Sequence, residues 1–305
     1  MAYIRERSKG STIYYVLVES VRENGKVLQR TVEYLGNREK MLGYCKRHHL
    51  TPPKQKYAML DKQTAFILEG KLKKLNKLRP LPKQTVQSLR EKFEVEMTYN
   101  SNAIEGNKLT LKETFLVLEK GLTIGGRSMK DHFEATNHKE ALELLEKMAG
   151  GKNPITEMDM LNLHAIILDK IAPQDAGVYR HYQVLITQSK HRPPSWKEVP
   201  KLMRQVIEEL NSKRTGAAAV ESAVKIHHLI AWIHPFGDGN GRLARLLANL
   251  RLMRAGFPPI IVQRKTRTTY YNALEDADDG DFRPLAMLTA QELKKSLDLW
   301  LSVAR

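Results

Sequence analysis

Between His234 and Arg245 the chain reads HPFGDGNGRLAR, a stretch whose residue types can hold a phosphate and move a proton. Gly237, Gly239 and Gly241 let the backbone approach an anion closely. The run feeds a helix expected from about residue 241, whose free N–H groups and dipole favour negative charge. Arg242 and Arg245 lie on one face of that helix and flank the anion, while Leu243, Leu246, Leu247 and Leu250 form its core-facing stripe. Asp238 is a hard oxygen ligand suited to Mg2+ carried by the phosphate. His234, just before the loop, stands as a general base beside it. GDGNG alone reads equally as an ordinary turn or a Ca2+-like loop; its coupling to the His and both Arg favours phosphate chemistry. His227, His228 and His234 lack the spacing of four that pairs helical metal ligands, so the first two read as satisfied buried side chains.

The elements that must position this loop follow from periodicity and punctuation. Ile226 to Phe236 is apolar apart from its three His, which predicts a buried helix ended by Pro235. Further amphipathic stretches run over about 129–149, 156–171, 196–213, 218–233, 241–255 and 283–301. Thr110 with Glu113 and Ser195 with Glu198 read as capping boxes. The fold class is therefore mainly α. Within 178–195, VLITQ is strand-like and precedes KHRPPS, predicting a short hairpin on the helical body. It reads equally as a structural hairpin or as an edge to which another chain's backbone could add by hydrogen bonds. The Tyr-, Val- and Thr-rich run from Ile13 to Tyr34, with Asn24-Gly25 as a hairpin turn, predicts a small β meander at the start. The expected organisation is a basic meander module over 1–50, a linker with a short basic helix in KLKKLNKLRP over 51–84, and a helical domain over 85–305.

The chain has 305 residues with 28% charged and 42% apolar residues, enough to bury a core, which excludes a disordered chain or a disulfide scaffold. Residues 1–90 hold 20 Lys and Arg against 7 Asp and Glu, so nearly all of the +16 surplus is N-terminal. Such a field favours an anionic partner, nucleic acid among them. No apolar run approaches the ~18 residues of a membrane span, and no signal-peptide pattern opens the chain. With Cys45 as the only cysteine, the expected compartment is cytoplasmic.

HPFGDGNGRLAR resembles the signature of Fic-domain enzymes, HxFx(D/E)GNGRxxR, with every specified position matched. SNAIEG at Ser101 to Gly106 is similar to that family's autoinhibitory motif, (S/T)xxxE(G/N), and GVYRHYQVLITQSKHRPPSW to its target-holding flap. AGFPPIIVQRKTRTTYYNALEDADDGDFRPL reads like the family's C-terminal half, so the resemblance spans about residues 90–300. YIRERSKGSTIYYVLVES and GKVLQRTVEYLG resemble the N-terminal β segment of some transposases, without any catalytic motif.

The Fic resemblance implies an all-α core with a β-hairpin flap and transfer of AMP from ATP to a protein Ser, Thr or Tyr hydroxyl, with Mg2+. It implies His234 as the base, Asp238 on the metal, and Asn240 with the Gly239 and Gly241 N–H groups around phosphate oxygens. Arg242 would meet the β phosphate and Arg245 the γ phosphate, with Phe236 turned into the core. Tyr270 and Tyr271 match nucleotide-facing aromatics, and Asp278 stands where some relatives carry an amide. Val184, Leu185, Ile186 and Thr187 form the target-docking flap. Ser101 and Glu105 share a helix face, and Glu105 would reach Arg245, occupy the γ-phosphate donor and inhibit the resting chain. The same Glu could serve removal of AMP, and a homodimer is compatible with the resemblance. Rival readings are a nucleic-acid-binding regulator with a nucleotide-sensing core, and a different donor such as UTP or a diphosphate choline carrier.

Overall fold

The structure, a computed structural model, describes residues 2–9, 12–23, 26–48, 50, 59–186 and 189–304. The chain divides into two compact units, Met1–Ala58 with Asp279–Asp281, and Met59–Asp278 with Phe282–Arg305.

In the first unit, strands β1 (Ala2–Lys9), β2 (Thr12–Glu23) and β3 (Lys26–Gly36) form an antiparallel sheet in chain order. Ile4 pairs with Leu17 and Glu23 with Lys26; the expected Asn24-Gly25 turn lies outside the described residues. Alternation puts Ile4, Tyr15, Leu17 and Leu35 on one face. Helix α1 (Arg38–Arg47) covers that face with Met41 and Cys45, and the Asn37 side chain caps its start.

The second unit is helical, as the periodicity predicts. Helices α2 (Lys62–Leu78), α3 (Lys83–Ile104), α4 (Leu111–Lys120), α5 (Met129–Gly150) and α6 (Glu157–Leu168) come first. Then follow α7 (Val199–Leu210), α8 (Gly216–Ile233), α9 (Asn240–Arg254), α10 (Arg267–Asp278) and α11 (Arg283–Val303). The helical pair α8 and α9 lies between two cores. On one side Leu243, Leu247 and Leu250 pack with Ile226, Ile230, Met160, Leu163 and Met203. On the other, Ala248 and Leu252 pack with Val220, Leu72, Leu285 and Leu293. Burial on both sides is what fixes the loop joining these two helices. Among the described residues no helix is long and apolar enough to cross a membrane.

Several local expectations resolve differently. The basic stretch KLKKLNKLRP belongs to a 17-residue helix that begins at the Asp61 cap, and burial of Leu68, Leu72 and Leu75 binds α2 to the helical body. The Thr110 capping box forms, but Ser195 makes no side-chain cap. A 3₁₀ turn at Trp196–Glu198 intervenes there, and Pro200 sits in the first turn of α7. Capping boxes the sequence reading missed open α5 (Ser128 with Asp131) and α6 (Thr156 with Asp159). Helix α6 stops at Leu168, three residues short of expectation, where Lys170 turns to φ 56. VLITQ takes no strand among its described residues: the segment is tied down by side chains instead of a ladder, with Gln183 Nε2 donating to Pro193 O at 2.8 Å.

Candidate active site

Helix α8 ends at Ile233, and His234 caps it in the left-handed region, φ 50 and ψ 59, with its N–H donating to Ile230 O at 3.0 Å. A non-glycine residue there is strained and needs support from its surroundings. Buried Arg180 supplies it: its Nε donates to His234 O at 2.8 Å, its backbone N–H to Pro235 O at 2.9 Å, and its Nη2 to Pro194 O at 2.6 Å. One guanidinium thus ties the end of α8 to the flap.

The loop beyond is fastened from beneath. Phe236 is buried and stacks on His164, ring centroids 3.5 Å apart. Gly177 N donates to His164 Nδ1 at 3.0 Å, so the ring proton is on Nε2 and faces Asp238 O at 2.9 Å. Asn240 clasps Phe236 in both directions, its Oδ1 accepting from Phe236 N at 3.0 Å and its Nδ2 donating to Phe236 O at 2.9 Å. Gly239 has φ +78, and a Cβ there would lie 3.1 Å from His164 Nε2. The first helical turn of α9 therefore starts from a rigid loop.

The residues of the expected phosphate cradle also bond within the loop. One Asn240 Nδ2–H goes to Phe236 O, which leaves its second N–H, and the Gly239 N–H donates to Asp238 Oδ1 at 2.6 Å. Both hold the loop's shape. Arg242 is buried, with Nη1 donating to Glu134 Oε1 at 3.3 Å and Nη2 to Asp238 Oδ1 at 3.2 Å. Its Nε is buried and has no hydrogen-bond partner among the described residues. Burial alone would raise the Asp238 pKa, but the Arg242 charge and the Gly239 N–H bring it below the usual carboxylate range.

Burial is the main reason the His234 imidazole is pushed below its ordinary value, with the charges of Arg180 and His191 acting the same way. Its Nδ1 faces Ala231 O at 3.4 Å, which places the proton on Nδ1 and the lone pair on Nε2. That is the state a general base requires.

Arg245 donates through all three of its nitrogens. Its Nε donates to Ser101 Oγ at 3.0 Å, its Nη2 to Ser101 O at 2.9 Å and to Glu105 Oε1 at 2.7 Å, and its Nη1 to Tyr270 OH at 3.4 Å. Burial would lower the guanidinium pKa, but the Glu105 charge raises it overall. A Cβ on Gly241 would collide with the Glu105 carboxylate, so the carboxylate lies over the start of α9 where an anion is expected. Tyr270 is buried with its hydroxyl 2.7 Å from His227 Nε2, and its phenol is pushed up to about 12, chiefly by burial. Tyr271 is half-buried beside Arg267. His228 Nε2 is 2.8 Å from Asp278 Oδ1, so both neighbouring histidines are satisfied as expected.

Of the flap residues, Val184 and Ile186 are half-buried and Leu185 is 73% exposed; Thr187 lies outside the described residues. His164, Glu134, Arg180 and Tyr182 escaped the sequence reading. They lie far from the loop in sequence and carry no local pattern. The Tyr182 hydroxyl sits so close over Gly237 that a Cβ there would lie 2.6 Å from it. Among the described residues no group of three His, Cys, Asp or Glu is placed to hold a metal. A single half-exposed carboxylate such as Asp238 fits Mg2+, which keeps several waters and takes its other oxygens from substrate phosphates.

The chain is similar to known proteins in sequence and in backbone. Residues 154–252 match the family model described as Fic/DOC family, and residues 3–48 match that of the IS1634 family transposase N-terminal domain. A protein of Nematostella vectensis named protein adenylyltransferase Fic is 34% identical over 249 residues, 81% of this chain and 58% of that one. This chain spans between 42% and 58% of the length of such curated relatives. The crystal structure of a Fic domain containing signaling protein from Bacteroides thetaiotaomicron is matched with TM-score 0.70 and 31% identity, over 79% of this chain and 96% of that chain. Fic-1 (aa134 - 508) from C. elegans is matched with TM-score 0.71 and 27% identity, over 88% and 78%. Since nearly the whole of one such protein is shared in both sequence and backbone, the chain belongs to the Fic/DOC family.

Proposed function

We propose that this chain is a protein adenylyltransferase, transferring AMP from ATP to a Ser, Thr or Tyr hydroxyl of a protein and held in check by Glu105. The observation that carries the reading is the carboxylate of Glu105 lying over Gly241 on Arg245, beside an imidazole whose Nε2 is free. A site built for phosphates is here filled by the chain's own anion.

In the reaction, His234 Nε2 takes the proton of the target hydroxyl as its oxygen attacks the α phosphorus and pyrophosphate leaves. Arg242 meets the β phosphate, and the fastened loop keeps the phosphorus in line with the nucleophile. Asp238 would hold Mg2+, which supplies charge neutralisation for the phosphates when bound. Arg245 can meet the γ phosphate only once Glu105 withdraws. Until then ATP enters with its α phosphorus misaligned, so the resting chain is slow. The exposed Leu185 ridge of the flap is the surface for target main chain.

The test is incubation of the full chain with ATP labelled at the α phosphate. Label should pass to protein, more strongly in Glu105→Gly and not in His234→Ala; no transfer by Glu105→Gly overturns the reading. A second activity, binding of nucleic acid, is favoured by the Lys and Arg surplus over residues 1–90, which both units share, and by the transposase-type match over residues 3–48. Salt-dependent DNA binding that survives His234→Ala would support it, and its absence at low salt would remove it.

A further inference from the structure

The geometry points to a second anion site in the helical unit, one that takes a small molecule carrying two or more phosphates. It is a cleft of about 910 Å³ between the turn that follows α3 and the turn that opens α10. Lys108, Arg127, Arg264, Lys265 and Arg267 line it, and no acidic side chain does. Neither His234 nor any residue from Gly237 to Arg245 belongs to its wall, so it is distinct from the loop at the start of α9.

The backbone of both walls is fastened, while the side chains of Lys108, Arg264, Lys265 and Arg267 stand exposed. Arg264 N donates to Asn100 Oδ1 at 2.9 Å, which fastens one wall to α3. Lys108 N donates to Asp131 Oδ1 at 2.9 Å, and Asn107 Nδ2 to Glu134 Oε2 at 2.8 Å, which fasten the other to α5. Arg127 is gripped by Glu113, and Arg267 lies 5.2 Å from the Tyr271 ring centroid. Lys108, Arg264 and Lys265 have no ion pair among the described residues; Arg264 reaches only Tyr99 OH, at 3.5 Å. Exposed cations on fastened walls concentrate positive charge at the cleft, and a multivalent anion meets them without ordering the backbone first. The cleft is wide enough to seat a nucleotide-sized polyphosphate. Ala103 and Gly106, which flank Glu105, belong to the wall, so an occupant touches the segment that presents this carboxylate.

The test titrates the full chain with inorganic tripolyphosphate by calorimetry and maps lysine acetylation by mass spectrometry with and without it. The combined Lys108→Ala, Arg264→Ala and Lys265→Ala chain should bind at least tenfold more weakly. In the unsubstituted chain Lys108 and Lys265 should be protected while exposed Lys62 and Lys170 are not. Unchanged affinity in the variant, or no selective protection, overturns the site; the protection arm decides even if the variant fails to fold. A nucleoside triphosphate titrated in parallel identifies the source of the phosphates, since a base that adds to the grip marks a nucleotide. Neither readout requires AMP transfer, so this site stands or falls separately from the proposed activity.

Discussion

His234 owes its chemistry to its surroundings more than to any single partner. Burial leads in holding its imidazole below 6.5, the charges of Arg180 and His191 add to this, and Glu105 opposes it. Removing Glu105 therefore lowers the value further. The acidic limb of the pH profile of AMP transfer by Glu105→Gly should lie below pH 6.5, because the base stays neutral down to its depressed pKa; a limb above 6.5 would contradict this placement. At Arg245, the Glu105 contact is a charge-assisted hydrogen bond of about 1.5–3 kcal/mol, so Glu105→Gly should raise transfer by about tenfold or more. Ser101→Ala should do far less, because the Ser101 carbonyl still accepts from Nη2. Initial rates at saturating ATP compare the two.

The bend between α8 and α9 works as one piece, and Asn240 is its fastener. Asn240→Ala leaves the buried Phe236 N–H and carbonyl without their partners, at about 1–3 kcal/mol, measurable as a fall in chemical-denaturation free energy. If stability is unchanged, the clasp is not what shapes the loop. The arrangement also explains why the His164 ring, on α6, sits beneath a loop supplied by other helices. Its stacking on Phe236 and its bond to Asp238 O set the height at which Asp238 and Arg242 meet.

The helical unit as a whole carries an acid liability. His138 and His227 are pushed down to about 3 and His164 to about 4, in each case mainly by burial. Between those values and 6.5 the unfolded chain binds protons that the folded chain does not. Stability is therefore full above pH 6.5 and is lost as pH falls toward 4, by about 1.4 kcal/mol per pH unit for each imidazole. Urea melts of the full chain at pH 7.5, 5.5 and 4.5 should show a monotonic drop steeper than that of the His138→Gln chain. Equal slopes would show that His138 already titrates normally.

Much of this was legible in the sequence because the relevant physics is local. Gly237 to Gly241 followed by a leucine stripe specifies a loop feeding a buried helix, and the spacing of four between Ser101 and Glu105 puts both on one side of the turn that closes α3, with Glu105 as its C-cap. Helix boundaries followed from periodicity to within a few residues, failing where a 3₁₀ turn or a left-handed Lys170 intervened. Packing alone decided the rest. Glu134, His164 and Arg180 reach the loop across 54 to 108 residues of chain, and Glu105 meets Arg245 across 140. Such meetings depend on how α3, α5 and α6 stack around α9, a property of burial summed over the whole core that no short window of residues contains.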